Sequence, residues 1–331
     1  MSDPHPDTPV GELSEGEILR RILDRLGPSG SPVGPGDDAA VITTADRRVV
    51  ATVDTLVHGP DFRLAWSSPF DLGWKAAAVN LADVAAMGAR PVALLVALAM
   101  PDSTRISFVE SLADGLRAAC DELAPGCAVE GGDLTVSDTL TVAVTALGSL
   151  DGRAPVLRSG ARPGDVVAVA GALGAAGRGL TTLFQRFTDA SGAPTPVDLA
   201  QLAVDERSEL EAQLRPSPPL SLGIAAAEAG ATAMMDVSDG LVLDATRMAA
   251  ASGVCLALDS RTLGDDPRSA LTGGEDHALL ATFPSTVALA PGFRPIGEVR
   301  AAGDHAVLVD GAPFDGRSGW DPYRDWDSGS G

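Results

Sequence analysis

The sequence predicts a mixed α/β or α+β protein built from two domains. Its 331 residues suffice for two domains of roughly 100–200 residues each. Hydrophobic residues make up 45% of the chain, which is ample for packed cores and excludes a disordered protein. Short β-branched or apolar segments that are typical of strands alternate with segments that have the periodicity of helices. This alternation is typical of layered folds in which helices cover sheets.

The first half of the chain contains the signals of three helices and three strands. A helix begins at Ser14, because Ser14 and Glu17 have the spacing of a capping box. A longer helix over residues 69–88 is opened by Pro69 and Asp71 and closed by Gly88. A further helix is expected over residues 107–123, and strands over residues 48–55, 92–99 and 139–148.

Turn residues cluster over residues 151–164 and predict a domain boundary there. Beyond it we expect helices over residues 171–187 and 239–252, a flexible insert over residues 188–196, and strands over residues 165–170, 231–237, 254–259, 277–283, 294–299 and 306–309. The predicted domains are residues 13–150 and residues 151–324. A disordered leader (residues 1–12) and a flexible tail (residues 325–331) flank them.

Composition excludes several classes of partner. A formal net charge of −21 repels nucleic-acid phosphates and anionic lipid headgroups, so neither nucleic acid nor a membrane is an expected partner. Anionic substrates remain possible if divalent cations screen them. The longest apolar run, residues 91–100, is too short to span a bilayer. Three cysteines without metal-ligand spacing indicate a reducing compartment, so we expect a cytoplasmic protein.

Aspartates lie where the predicted strands begin or end. Such an Asp is, taken singly, more often a turn residue than a ligand. Several of them can nevertheless converge on one edge of a sheet, where α/β proteins bind their ligands. Oxygen ligands of this kind suit Mg²⁺, which is usually shared between carboxylates, waters and phosphates. The candidates are Asp38, Asp54, Asp133, Asp236 and Asp239.

Asp83 and Lys75 lie on the same predicted helix. Small apolar residues surround Asp83, and a buried, ionised carboxylate costs several kcal/mol unless it is paired or coordinated. Asp83 is therefore a candidate metal ligand, the alternative being a salt bridge to Lys75. Lys75 is the single lysine of a chain whose other basic side chains are all Arg, which indicates either a functional role or chance retention.

Common nucleotide-binding and catalytic motifs are missing. The glycine-rich segment over residues 171–179 could bind phosphate at a helix start, but it lacks the dinucleotide-binding spacing. No lysine precedes Ser or Thr as a Walker A loop requires, and the protein-kinase signatures are absent. The four histidines lack zinc spacing, and His277 is expected to start a strand.

Taken together, these segments resemble the thiamine-monophosphate kinase family from about Gly11 to Trp320. Its superfamily includes aminoimidazole-ribonucleotide synthetase, selenophosphate synthetase and a hydrogenase-maturation factor. The matching segments are Gly36-Asp37-Asp38-Ala39-Ala40, Asp54-Thr55-Leu56-Val57, the stretch from Lys75 to Asp83 with Ala86-Met87-Gly88-Ala89, Gly131-Gly132-Asp133, Arg158-Ser159-Gly160-Ala161, Arg215-Pro216-Ser217-Pro218, Asp236-Val237-Ser238-Asp239-Gly240-Leu241, Gly273-Gly274-Glu275-Asp276 and Gly319-Trp320.

The resemblance implies an aminoimidazole-ribonucleotide-synthetase-like fold and a homodimer that pairs through its N-terminal sheets. It implies ATP in a cleft between the two domains and thiamine monophosphate as the phosphate acceptor. The implied Mg²⁺ ligands are Asp38, Thr52, Asp54, Asp83, Asp133, Asp236 and Asp239. The implied ATP contacts are Gly132, Asp133, Arg158 and Ser238, and the implied substrate positions are Asp61, Glu275 and Trp320.

The activity implied is direct, in-line transfer of the γ-phosphate of ATP to thiamine monophosphate, the last step of thiamine diphosphate biosynthesis. Two anions must approach each other, so positioning and metal neutralisation would supply most of the catalysis. The residues expected to carry it are Asp83, Asp133, Asp236 and Asp239. An indole such as Trp320 suits the cationic thiazolium through cation–π attraction.

Three departures from the family pattern lie near these positions. Val53 stands where the family has a hydroxyl residue, Asp61 stands where it has a histidine, and the segment after Trp320 differs. Two alternatives therefore stay open. One is a superfamily member that phosphorylates another small acceptor, and the other is a nucleotide-binding relative without catalytic activity.

Overall fold

Two β-sheets, each with helices packed on it, form the protein. The computed structural model describes residues 5–28, 30–32, 40 and 42–320. A four-stranded sheet precedes residue 150 and a seven-stranded sheet follows residue 164, so the two sheets fall on either side of the turn-rich segment over residues 151–164.

The first sheet has the strand order β1-β4-β2-β3, in which only β2 and β3 run parallel to each other. Its strands are β1 (Val50–Val57), β2 (Arg90–Met100), β3 (Ala128–Val136) and β4 (Thr141–Ser149). The helices of this half are α1 (Glu15–Leu26), α2 (Pro69–Ala86) and α3 (Ile106–Leu123). Both α2 and α3 pack on one face of the sheet, and α1 packs on α3.

Helix α2 is buried along almost its whole length between the first sheet, α3 and the second half of the chain. It begins at a capping box in which Ser68 and Asp71 satisfy each other's backbone N–H groups. Gly73 permits a close crossing with α3, because a Cβ there would lie 2.0 Å from the carbonyl oxygen of Leu112. This close crossing sets the separation between α2 and α3.

The second sheet has the order β11-β10-β7-β9-β5-β8-β6. Its strands are β5 (Asp165–Ala170), β6 (Ala233–Val237), β7 (Val254–Leu258), β8 (Ala278–Pro284), β9 (Arg294–Ala301), β10 (Val307–Val309) and β11 (Ala312–Pro313). The helices are α4 (Ala175–Arg186), α5 (Val204–Leu214), α6 (Leu220–Glu228), α7 (Leu241–Ser252) and α8 (Pro267–Thr272). One core lies under α7, and another lies under α6 and includes Ala86 at the end of α2.

Several elements were missing from the sequence prediction. β3 contains Gly131, Gly132 and Asp133, residue types that disfavour strands. It forms a strand nevertheless, because it pairs with β2. Along α5 only Leu210 and Gln213 are buried, so its apolar pattern is too sparse to indicate a helix. α6 and α8 were not predicted either. No helix among the described residues is long and apolar enough to cross a membrane.

The expectation of a disordered leader over residues 1–12 was wrong for its described part. Val10 is 5% exposed in the first core, and its N–H donates to the carbonyl of Thr104 over 2.7 Å. The N–H of Gly11 donates to the carbonyl of Asp102 over 2.8 Å. One apolar side chain and two backbone hydrogen bonds thus attach this segment to the loop before α3. The expected tail, residues 325–331, lies outside the described residues.

Candidate active site

Helix α2 places two polar side chains against strand β1. Asn80 and Asp83 are three residues apart, which puts them on one face of the helix. The Thr52 hydroxyl donates to Oδ2 of Asp83 over 2.7 Å, and the Asp54 N–H donates to Oδ1 of Asn80 over 2.9 Å. The partner of Asp83 is therefore the Thr52 hydroxyl, and the alternative salt bridge between Asp83 and Lys75 is not formed.

Electrostatic repulsion is built into this carboxylate group. Burial raises the pKa of Asp83 to about 7, and repulsion from Asp236 and Asp54 adds to it against the opposing hydrogen bond from Thr52. Burial also raises the pKa of Asp54, with repulsion from Asp236 and Asp239 among the further causes. The carboxylates lie close enough to disfavour one another's charge, which is the electrostatic setting that a bound cation relieves.

Asp236 meets a histidine that the sequence did not assign to the site. Asp236, at the end of β6, is 7% exposed, and His277, just before β8, is 5% exposed. Their Oδ2 and Nδ1 atoms lie 3.0 Å apart. Burial lowers the pKa of His277, but the hydrogen bond and the charge of Asp236 outweigh it, so the net pKa is raised. The sequence carried no signal for this pair, since 41 residues separate them.

Asp239 lies in the turn between β6 and α7, where Arg247 holds it. Nη1 of Arg247 is 2.6 Å from Oδ2 of Asp239 and 2.6 Å from Oδ1 of Asp244. The Asp239 N–H donates to the other carboxylate oxygen of Asp244 over 3.0 Å. Burial, with repulsion from Asp236 and Asp239, raises the pKa of Asp244 to about 6. A metal at Asp239 would therefore have to compete with Arg247.

Three consecutive residues before β8 contact three different parts of the molecule. Glu275 forms an ion pair with Lys75, and His277 contacts Asp236. Asp276 accepts hydrogen bonds from the N–H groups of Gly174 and Ala176 over 2.6 and 2.9 Å, so it satisfies the start of α4 that could have bound phosphate. Glu275 and His277 both have positive φ, 72° and 51°, a strain that tends to occur at functional sites.

A cavity of about 580 Å³ lies beside this segment, between the two halves of the chain. All three predicted substrate residues line it, as do Lys75 and Ser238. Oδ2 of Asp61 accepts a hydrogen bond from the Val57 N–H over 2.7 Å, so this oxygen is already partly satisfied within its own turn. The backbone N–H of Trp320 donates to the Asp239 carbonyl over 2.9 Å, and the Arg317 guanidinium lies 5.3 Å from the ring centre of Trp320. The lining residues that the sequence predicted are Asp61, Ser238, Glu275 and Trp320.

The remaining predicted residues lie elsewhere within this chain. Gly132 and Asp133 line a second cavity, of about 930 Å³, together with α1, α3, β2 and β4. Strand pairing places Asp133 level with Thr55 on the far edge of the sheet, roughly 14 Å away at three interstrand spacings. Arg158 is exposed and lines neither cavity, and its carbonyl accepts from the Ser252 hydroxyl over 2.9 Å. The structure therefore does not bring these residues to Asp83.

The predicted metal ligands do not form a closed cage. Among residues 5–28, 30–32, 40 and 42–320 no group of three His, Cys, Asp or Glu side chains is close enough to hold a metal ion. Asp38 lies outside the described residues. The hydroxyl and carboxylate oxygens of Thr52, Asp54, Asp83 and Asp236 nevertheless suit Mg²⁺, which is commonly held by one or two carboxylates plus waters and substrate phosphates. Val53 points away from Thr52 and Asp54 and is 59% exposed.

Comparison with known proteins agrees with this architecture. Residues 36–150 match the family described as AIR synthase related protein, N-terminal domain. Over 96% of its length the chain is 39% identical to the thiamine-monophosphate kinase of Mycobacterium tuberculosis, of which the alignment covers 94%. The chain belongs to the thiamine-monophosphate kinase family. It is accordingly an ATP-dependent kinase.

Solved structures of thiamine-monophosphate kinases show the same fold. The enzyme from Stenotrophomonas maltophilia superposes with a TM-score of 0.74 at 33% identity, over 91% of this chain and 98% of that one. A structure described as AaThiL complexed with AMPPCP and TMP superposes with a TM-score of 0.72 at 32% identity, over 93% of this chain and 97% of that one. The predicted aminoimidazole-ribonucleotide-synthetase-like, mixed α/β fold is thereby confirmed.

Proposed function

We propose that this protein transfers the γ-phosphate of ATP directly to thiamine monophosphate, giving thiamine diphosphate and ADP. The observation that carries the proposal is one cavity in which Asp61, Glu275 and Trp320 meet, with Glu275 within electrostatic reach of Asp54 on β1. A related structure at 32% identity holds AMPPCP and TMP, which supports the same pair of substrates here.

The substrate end of the cavity combines an aromatic ring with carboxylates. The indole of Trp320 offers a face to a cationic thiazolium, an attraction worth on the order of 1 kcal/mol. Glu275 offers a carboxylate to a positively charged or amine-bearing ring system. Asp61, which already accepts a hydrogen bond from the Val57 N–H, is one of the three positions at which this chain differs from the family pattern.

The metal-binding end would be formed by Thr52, Asp54, Asp83, Asp236 and Asp239, with Asp38 as a further candidate. Bound there, Mg²⁺ would neutralise the phosphates of ATP and of the acceptor. Other residues of the chain hold these oxygens in place. Hydrogen bonds of Thr52 and Asn80 fix α2 against β1. His277 orients Asp236, and Arg247 binds Asp239 until a cation competes for that carboxylate.

We also propose a cytoplasmic homodimer that pairs through the outer faces of the first sheets. Val53, on the face of β1 that points away from Thr52 and Asp54, is 59% exposed, which is unusual for a strand valine. A dimer would bring Gly132 and Asp133, which lie far from Asp83 within one chain, next to a second copy. Arg158 would contact ATP from its exposed position in the segment over residues 151–164. Sedimentation equilibrium tests the dimer, and a monomer at every concentration would contradict it.

The decisive assay for activity is incubation of the purified protein with Mg²⁺, ATP and thiamine monophosphate, followed by chromatography for thiamine diphosphate and ADP. Equal amounts of the two products are expected, and omission of Mg²⁺ should abolish both. ADP formed only with a different phosphate or hydroxyl acceptor would favour the alternative superfamily activity. Binding of ATP without any turnover would favour the nucleotide-binding relative.

A further inference from the structure

Lys75, the chain's single lysine, is buried in the wall of the substrate cavity. It lies on α2, is 5% exposed and lines the cavity beside Asp61 and Glu275. Burying a lone ammonium costs several kcal/mol, so its retention needs a partner. That partner is Glu275, whose Oε2 forms an ion pair with Nζ.

A second helix contributes to the placement of Lys75. In the amide orientation that satisfies both of its polar atoms, the Gln213 carbonyl accepts from Nζ over 3.1 Å. The Gln213 nitrogen then donates to the carbonyl of Ala176 over 3.1 Å. Lys75 on α2, Gln213 on α5 and Ala176 on α4 thus form a chain of contacts. The ammonium is consequently fixed in place, and it in turn fixes the carboxylate of Glu275.

The charge of Glu275 depends on its ion pair with Lys75. Burial alone raises the pKa of its carboxyl, but the charge and hydrogen bond of Lys75, together with the charge of His277, outweigh burial and lower the pKa below its ordinary value. Asp61 also repels Glu275, because each carboxylate lies within the electrostatic reach of the other. Without the ammonium, two carboxylates would share a partly buried wall, an arrangement in which one of them takes up a proton.

We infer that Lys75 is a positioning and specificity-determining residue, which through Glu275 sets the direction and the charge of the carboxylate that meets the cationic part of the phosphate acceptor. The inference rests on the proposed function. It assigns Lys75 no contact with the transferred phosphate. It makes selectivity for a positively charged acceptor a property of the Lys75–Glu275 pair.

The first experiment is steady-state kinetics of Lys75→Met. We expect the KM for thiamine monophosphate to rise about tenfold or more, whereas kcat and the KM for ATP stay within about threefold. Lys75→Arg keeps the cation and should recover part of the loss. Arg186→Met is the matched control, because it removes a cation from an ion pair with Glu206 that does not line the cavity. An unchanged KM in Lys75→Met overturns the inference.

A double-mutant cycle with Glu275→Gln separates positioning from direct contact. If Lys75 acts through Glu275, adding Lys75→Met to Glu275→Gln changes the KM for the acceptor by less than about twofold. Independent, additive losses would mean that Lys75 contacts the acceptor itself, and would overturn the assignment. The double variant also removes the unpaired buried charge, so the cycle is informative even if Lys75→Met alone folds poorly.

Calorimetric binding distinguishes failure of this inference from failure of the proposed function. Thiamine monophosphate and an analogue with a neutral thiophene ring in place of thiazolium are titrated into the wild type and Lys75→Met. The variant should lose most of the wild-type preference for the charged ring. An intact preference overturns the inference even where turnover is normal. A wild type that binds neither compound contradicts the proposed function.

Discussion

Nδ1 of His277 lies 3.0 Å from Oδ2 of Asp236, which joins the residue before β8 to the end of β6. Both side chains are buried, so the ring restricts the carboxylate to one orientation beside Asp83 and Asp54. Partners that orient a ligand in this way are typically worth 10–100-fold in metal affinity or activity.

His277→Ala is therefore expected to weaken Mn²⁺ binding and lower kcat, each by roughly 10–100-fold. His277→Asn places an amide nitrogen near the position of Nδ1 and should recover much of the loss. Mn²⁺ binding, followed by electron paramagnetic resonance without nucleotide, measures the effect independently of turnover. His305→Ala is the control, because His305 is exposed. Wild-type Mn²⁺ affinity in His277→Ala would show that the contact has no role in positioning.

Asp83→Asn and Asp236→Asn are each expected to abolish turnover and leave the fold intact. The amide keeps the shape of the carboxylate, so packing is preserved, but it removes the negative charge that a divalent cation requires. We expect kcat to fall by at least about 100-fold, with a far-UV circular dichroism spectrum like that of the wild type. Asp304→Asn, in the exposed loop before β10, is the control. Full activity in either site variant would contradict the metal assignment.

Stability of the metal-free protein should fall as the pH rises towards neutrality. The carboxyl of Asp83 has a pKa of about 7 when folded, against 3.8 when exposed, so between these values the folded state binds more protons than the unfolded state. Under that condition the free energy of unfolding decreases with increasing pH, and it levels off above about pH 7. Asp54 and Asp244 shift in the same direction.

Asp83→Asn removes this dependence at one position. Its free energy of unfolding relative to the wild type should increase by about 2 kcal/mol between pH 5 and pH 8. Urea denaturation in the presence of EDTA measures the difference at both values. If the difference in free energy of unfolding between variant and wild type does not change with pH, Asp83 is ionised in the folded protein at both pH values.

Two glycine substitutions should have opposite effects on stability. A Cβ at Gly73 would lie 2.0 Å from the Leu112 carbonyl oxygen, so Gly73→Ala must separate α2 from α3 and should destabilise by more than about 2 kcal/mol. Gly16 lies in α1 with nothing within 4 Å of such a Cβ. Gly16→Ala should therefore stabilise by up to about 1 kcal/mol through helix propensity. Thermal and urea unfolding compare the two variants, and equal effects would contradict the close helix crossing.

The course of the chain was largely predictable from local pattern. Helix α2 was expected over residues 69–88 and spans Pro69–Ala86, because Ser68, Pro69 and Asp71 mark its start and Gly88 follows its end. β5 was expected over residues 165–170 and spans Asp165–Ala170. Elements that are stabilised by pairing or packing with other elements have weaker signals in the local sequence. β3 forms by pairing with β2 in spite of its glycines, and α5 forms with few apolar positions.

For the candidate site, local sequence was enough to identify the side chains that are costly or rare: Asp83 among apolar neighbours, and Lys75 as the single lysine. Burial penalties depend on residue type and local hydrophobicity, so they can be inferred from sequence. The partners of these side chains depend on long-range packing, so they became known from the folded structure. It paired Asp83 with Thr52, Asp236 with His277 and Lys75 with Glu275, and it placed Asp133 on the far edge of the sheet. Contacts between residues 31, 41 or more positions apart leave no periodic trace in one sequence, because crossing helices and sheet register create them.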